Sequence, residues 1–202
     1  MYLIDWKQVN FKKFQEKFSQ IFKVYDAKKF KRLDVAKKKI KVGFFSPDFQ
    51  KSHSVSYFIK NLIKDLKNTK FETFGLSLLS VEDHDETTDH FMKLFDHWIN
   101  LGDISDQEIV NNIQNQNIDI LIDLAGLWSA NRINIFNTRI CPLQINWLGY
   151  NNSSGLKEID FILADTNSVK DEENDYGTSI YKLPNIWNSH SGFEYERILN
   201  EL

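Results

Sequence analysis

Apolar residues recur at spacings of three and four over residues 5–23, where Phe11, Phe14, Phe18, Ile21 and Phe22 predict an amphipathic helix with one aromatic face. The pattern then changes. IKVGFF (40–45) is a short β-rich run, stopped at Pro47, whose fixed φ and missing N–H suit neither a strand nor a helix interior. From Ser54 the period is helical again, with Phe58, Ile59, Leu62, Ile63 and Leu66 on one face and Ser54 or Ser56 as the N-cap. FETFGLSLL (71–79) predicts a second strand, residues 84–97 a helix through Phe91, Met92, Leu94 and Phe95, and HWINL (97–101) an edge strand. Ser105 and Glu108 form a capping box that opens a helix with Ile109, Val110 and Ile113 inward. IDILIDLAG (118–126) is nearly all apolar, as a parallel strand covered on both faces should be. NRINIFNTR predicts a short helix; PLQINWLGY (142–150), DFILADT (160–166) and IYKLP (180–184) predict further strands, and the polar, acidic stretch 167–179 a loop.

Strands alternating with helices imply a parallel α/β sheet with right-handed crossovers. Ligands of such sheets gather beyond the carboxyl ends of the strands, where loops and helix N-termini share one cleft. Three polar loops bearing or flanked by glycine leave strands at that edge: SPDFQKSHS, DLAGLWSAN and LGYNNSSG.

At 202 residues the chain is long enough for one domain with appendages: a helical extension and linker over 1–39, a body over 40–185 and a tail over 186–202. A 42% hydrophobic and 26% charged composition is that of a folded protein. The net charge of -3 gives no reason to expect nucleic acid, and the basic stretch KKFKRLDVAKKKIK (28–41) is expected to be a solvated linker. A single cysteine, Cys141, excludes an intramolecular disulfide and fits a reducing compartment, so a cytoplasmic location is expected. No apolar run approaches the ~18 residues of a membrane span, and MYLIDWKQVNF lacks the charged and apolar regions of an export signal.

Several chemistries lack their residues. Neither G-x-G-x-x-G nor G-x-x-x-x-G-K-[ST] occurs, and G-x-S-x-G is absent, which removes the dinucleotide, P-loop and nucleophile-elbow modes. His84, His90 and His97 stand six and seven apart with no cysteine cluster, so no metal site is expected and they are surface or half-buried helix residues. His53 and Asp123, on neighbouring loops, form either an acid/base or orienting pair, or a loop histidine bonded to backbone and a strand-end cap.

The residues carry more than their spacing. KVGFFSPDFQKSHSVSYF, IDILIDLAGLWSANRINIF and CPLQINWLGYNNSSGLKEIDFILADT, in this order, resemble the catalytic region of the O-GlcNAc transferase and SPINDLY family of glycosyltransferases, whose pattern runs GYVSPDF…HPV, DILVDLxGHTxxNR and PAPVQVTWLGYPGTTG. The resemblance covers residues 40–185. It implies a Rossmann-like, doubly wound, mainly parallel sheet corresponding to the amino-terminal half of a GT-B glycosyltransferase. The expected reaction is an inverting, metal-independent transfer from a UDP- or GDP-sugar, UDP-GlcNAc or a relative, to a Ser or Thr hydroxyl of a protein acceptor. No cofactor is held tightly. The carboxyl-terminal half, or a subunit supplying it, is the expected partner and carries most donor contacts, so the chain alone is expected to be inactive.

By resemblance, His53 matches a histidine proposed as general base, and Asp123 joins it as a catalytic residue. Asp48, Gly126, Asn131, Gly149, Tyr150, Asn151, Ser154 and Gly155 are the expected substrate-binding positions. This chain departs from the pattern in three places. GHT becomes Gly126, Leu127 and Trp128, placing two apolar side chains at the expected acceptor rim. HPV becomes His53, Ser54 and Val55, and WLGYPGTTG becomes WLGYNNSSG. A non-catalytic module that holds a peptide or sugar with Trp128 and Tyr150 is the alternative reading.

Overall fold

The computed structural model describes residues 11–30, 33–51, 53–127, 132–150, 153–169 and 178–192. The apolar run after the basic stretch is β1 (Ile40–Ser46), and six more strands come after it: β2 (Phe71–Ser77), β3 (His97–Asn100), β4 (Ile120–Asp123), β5 (Leu143–Asn146), β6 (Phe161–Ala164) and β7 (Ser179–Lys182). They form one sheet in the order β3-β2-β1-β4-β5-β6-β7, with every neighbouring pair parallel. The fold is a parallel α/β sheet, as the strand and helix alternation predicted, and it is Rossmann-like, as the resemblance implied. The order reverses between β1 and β4: the chain moves outward to β3, then returns past β1. Such a switch point opens a crevice at the carboxyl ends of the two strands.

Side chains alternate across a strand, so β1 sends Val42 and Phe44 to one face and Phe45 to the other. On the first face they meet α2 (Ser54–Leu66) and α3 (Glu86–Leu94) through Val55, Ile59, Ile63, Phe91 and Phe95. On the second, Phe45, Phe74, Leu76 and Leu121 meet α4 (Asp106–Gln116) through Ile109, Val110 and Ile113, and the 3-10 turn Ile133–Asn137 through Ile135 and Phe136. Each fully buried aliphatic or phenyl side chain contributes about 1.5–3 kcal/mol, so both layers are needed to hold the sheet.

The predicted elements are shorter than expected at most ends. β4 covers only 120–123 of the 118–126 run, and NRINIFNTR folds as the 3-10 turn rather than an α-helix. β3 is the edge strand expected, and Ser105 caps α4 through a reciprocal box with Glu108. α1 (Phe11–Gln20) ends before Ile21 and Phe22, two positions assigned to its apolar face; Phe22 packs on the core and Ile21 is 72% exposed. The first ten residues lie outside the described set.

The segment after α1 is tied down. Asn137 Nδ2 donates to the Ser19 and Phe22 carbonyls, Tyr25 N donates to Thr138 Oγ1, and Gln107 and Gln114 of α4 each bond both the N–H and the C=O of Asp26 and Lys28 in turn. The Tyr25 hydroxyl donates to Asp106 at 2.6 Å, and burial with the Asp106 charge pushes it up to about 12. Within the expected solvated linker, Lys28 is therefore fastened to α4, while residues 34–39 are exposed and Lys37 still pairs with the buried Asp119. Beyond β7 the chain is also fastened. Trp187 N donates to Asp165 Oδ2, Trp147 Nε1 to the Trp187 carbonyl, and Ser191 N to the Tyr57 carbonyl of α2. The tail thus crosses from the β7 edge to α2 as a strap. No helix among the described residues is long and apolar enough to cross a membrane.

Candidate active site

β1, β2, β4 and β5 each end on a polar residue with no exposed surface: Ser46, Ser77, Asp123 and Asn146. Three of them do the same job. Ser46 Oγ accepts the Asp48 N–H, Ser77 Oγ the Leu79 N–H, and Asp123 Oδ1 the Ala125 N–H, so the strand-final side chain turns the backbone two residues on.

The β1 turn is fixed from several sides. Phe49, with no exposed surface, packs against Phe91, Phe95 and Trp98, while its carbonyl accepts the Thr88 hydroxyl. Ser56 Oγ donates to the Asp48 and Gln50 carbonyls. Ser56 is therefore a brace and not the helix cap, and Ser54 is not the cap either. The N-cap of α2 is His53, whose Nδ1 accepts the Val55 N–H at 3.4 Å; its Nε2 lies 3.4 Å from Asp48 Oδ1. Burial raises the Asp48 carboxyl above the usual carboxylate range, against the opposing pull of His53 and the Ser46 bond.

Asp123 sits at the next strand tip. Its carboxylate accepts the N–H groups of Ala125 (3.1 Å) and Gly126 (2.9 Å) and Nδ2 of Asn146 (2.8 Å). Full burial pushes it up to about 6 despite those bonds, and the negative charge of Asp48 acts in the same direction. Asn146 Oδ1 is buried with no hydrogen-bond partner among the described residues, a situation that costs about 1–3 kcal/mol.

The β4 and β5 exits interlock. Gly126 has φ +63°, and a Cβ there would lie 2.3 Å from Tyr150 Cβ; a Cβ on Gly149 would lie 2.0 Å from the Leu124 carbonyl oxygen. Between them Leu148 takes φ 78° in a three-residue turn closed by Gly149 N–H to the Trp147 carbonyl at 3.1 Å. Gly155 has φ 76°, and its N–H donates to Ser153 Oγ. Ser154 is only 3% exposed and its hydroxyl accepts the Leu156 N–H, so it supports the turn from inside. Leu127, expected at the rim, is half-buried and packs against the core cluster on the α4 side of the sheet. Trp128, Asn131 and Asn151 lie outside the described residues.

The loops contain two described cations, Lys51 and Arg132. Arg132 is committed: it donates to Asp106 at 2.6 Å and to the Ile104 and Gly102 carbonyls. Cys141 is buried and its thiol is pushed up to about 12 by burial, which removes it as a nucleophile. Among the described residues no three His, Cys, Asp or Glu side chains gather as a metal-ligand set.

His53, Asp48, Asp123, Gly126, Gly149 and Tyr150 thus share the carboxyl edge at or beside the switch point. Sequence reasoning missed Asn146, the partner of Asp123; the available signal was a polar residue closing an apolar strand, as Ser46 and Asp123 also do. The model of glycosyl transferase family 41 matches residues 14–187. The chain belongs to this family. Within family 41 it is 31% identical over 129 residues to the probable UDP-N-acetylglucosamine–peptide N-acetylglucosaminyltransferase SPINDLY of Arabidopsis thaliana, covering 63% of this chain and 14% of that protein. It is 29% identical over 128 residues to the UDP-N-acetylglucosamine–peptide N-acetylglucosaminyltransferase of Caenorhabditis elegans, covering 63% of this chain and 11% of that one. A mutant of the O-GlcNAc transferase of Thermobaculum terrenum superposes with a TM-score of 0.70 at 24% identity, over 75% of this chain and 29% of the other, a likeness of fold. The family 41 chain therefore spans about a seventh or less of these two curated relatives.

Proposed function

We propose that the chain is the amino-terminal, acceptor-side half of a protein O-glycosyltransferase, which moves a sugar from a UDP- or GDP-sugar to a Ser or Thr hydroxyl with inversion and without a metal. The observation that carries this is the meeting of the three family-like loops at one switch-point edge, with His53, Asp48 and Asp123 among them. In this reading Gly126 and Gly149 hold the β4 and β5 exits close together, and Tyr150 and Gly155 border the cleft, while Asn131 and Asn151 are assigned to substrate binding by the resemblance alone. Ser154 holds the rim in shape from within.

A departing nucleotide diphosphate needs cations or N–H donors aimed at its phosphates. Arg132 is engaged elsewhere and Lys51 is a single cation, no match for the two charged phosphates, so most of the phosphate contacts fall to a carboxyl-terminal half, in the same polypeptide or in a subunit. A cytoplasmic location belongs to this reading and is supported by the single cysteine, Cys141, which fits a reducing compartment. The experiment is calorimetry and a transfer assay. The 202-residue chain is titrated with UDP-GlcNAc, GDP-fucose and a Ser/Thr peptide, then assayed with radiolabelled donors after addition of a complementary family 41 carboxyl-terminal half. Transfer to the peptide only in the assembled pair is expected. Micromolar donor binding by the chain alone, or an assembled pair that binds both substrates without transfer, refutes the proposal.

A further inference from the structure

Three groups on the rim have acid–base chemistry: His53, Asp48 and Asp123. We infer that His53 is a positioning residue, held with its ring proton on Nε2 by the first turn of α2 and by Asp48, and that it is not the group that takes the proton from an acceptor hydroxyl. A general base needs a free lone pair within reach of the proton it removes. His53 has none to offer in this arrangement. Its Nδ1 accepts the Val55 N–H, and a backbone amide keeps its hydrogen, so Nδ1 must be the unprotonated nitrogen. In a neutral imidazole the proton is then on Nε2, which faces Asp48 Oδ1 at 3.4 Å, a carboxylate on a residue 5% exposed.

The ring orientation is determined by both ends at once. A half-turn of the imidazole would set one carbon against the Val55 N–H and another against the Asp48 carboxylate, giving up both contacts. Residue choice points the same way. Histidine is a poor N-cap compared with serine, and serine flanks it at position 54. A histidine is used here because its second nitrogen reaches Asp48, which a serine in the same place cannot do while capping. Ser46, Asp48, His53 and Val55 thus form one chain of contacts from the tip of β1 to the start of α2: two hydrogen bonds, with the 3.4 Å approach of Nε2 to Asp48 between them. Taking up a proton at Nδ1 would break the cap, and taking one up at Nε2 would first require handing its hydrogen to Asp48.

This inference uses the transfer reading only for its mechanistic consequence; the tautomer belongs to the chain itself. Long-range proton–nitrogen correlation spectra of the 15N-labelled chain are recorded at pH 8, where an ordinary imidazole is neutral. His53→Asn identifies the His53 signals by their loss. A pyrrole-type Nε2 with a pyridine-type Nδ1 is expected. A pyridine-type Nε2, or two averaged nitrogens, overturns the inference. In melting experiments His53→Ala is expected to lower Tm by about 2–4 °C, and His53→Asn, which can still cap, by no more than about 1 °C. An alanine variant that melts with the parent removes the cap and the inference with it. The two readings fail separately. A pyridine-type Nε2 leaves transfer standing, whereas absence of transfer in the assembled pair leaves the tautomer standing.

Discussion

Asp123→Asn converts the most deeply buried acid of the rim into a permanent neutral group, and the expected effect is a change in how stability depends on pH. In the parent, burial moves the Asp123 carboxyl from 3.8 to about 6. The folded protein therefore holds that proton more tightly than the unfolded chain does. The corresponding stabilisation is fully present below about pH 4 and is lost as pH rises through about 6. At about 1.36 kcal/mol per pH unit, the interval amounts to about 3 kcal/mol. In the variant that loss is absent. The new amide keeps its oxygen for the Ala125 N–H, and its N–H can meet Asn146 Oδ1 once the Asn146 amide turns over; the Gly126 N–H loses its acceptor, a cost that is the same at every pH and drops out of the comparison below.

Urea unfolding at pH 4 and pH 8, extrapolated linearly to zero denaturant, gives both stabilities. The difference of variant minus parent is expected to be about 3 kcal/mol more favourable at pH 8 than at pH 4. Taking that difference cancels the acids that move the other way, Asp85, Asp106 and Asp165. Asp48, whose carboxyl is also raised, adds to the effect because it loses a negative neighbour. A difference that stays within about 1 kcal/mol between the two pH values would mean that Asp123 is not the buried, uncompensated acid described here.

Gly149→Ala places a methyl group 2.0 Å from the Leu124 carbonyl, so the β4 and β5 exits must separate; a loss of about 2–4 kcal/mol is expected in the same unfolding assay. Phe49→Ala empties the site between Phe91, Phe95 and Trp98 and should cost about 3–5 kcal/mol, with early loss of amide protection over residues 47–53 in hydrogen exchange. Cys141 should be inert to a thiol reagent in the native protein and react stoichiometrically in denaturant; rapid native modification would contradict its burial.

The sheet was legible because its strands are buried on both faces and so read as apolar blocks, IKVGFF and IDILIDLAG above all. The Ser105 cap was legible because both halves of its box lie three residues apart. His53 caps α2 in place of two better-suited serines while its other nitrogen faces Asp48, five residues earlier; no capping rule links an Asp and a His at that spacing, so the pair escaped although it is local. Other features depend on contacts distant in sequence. Asn146 reaches Asp123 only through the β4 and β5 register. Leu127, which reads as a rim residue from the family pattern, is instead half-buried against the core cluster on the α4 side of the sheet. The strap through Trp187 and Ser191 was invisible for the same reason: its partners, Asp165, Trp147 and Tyr57, are scattered over more than 100 residues of chain.

Ser46, Ser77 and Asp123 steer their turns with a short local bond apiece, while the bodies of their strands pack through hydrocarbon side chains. The sheet and its tips are in this sense separate layers of information. A lineage can exchange the loop beyond each tip and so refashion the specificity of the edge, while the apolar blocks that determine the architecture remain as they are.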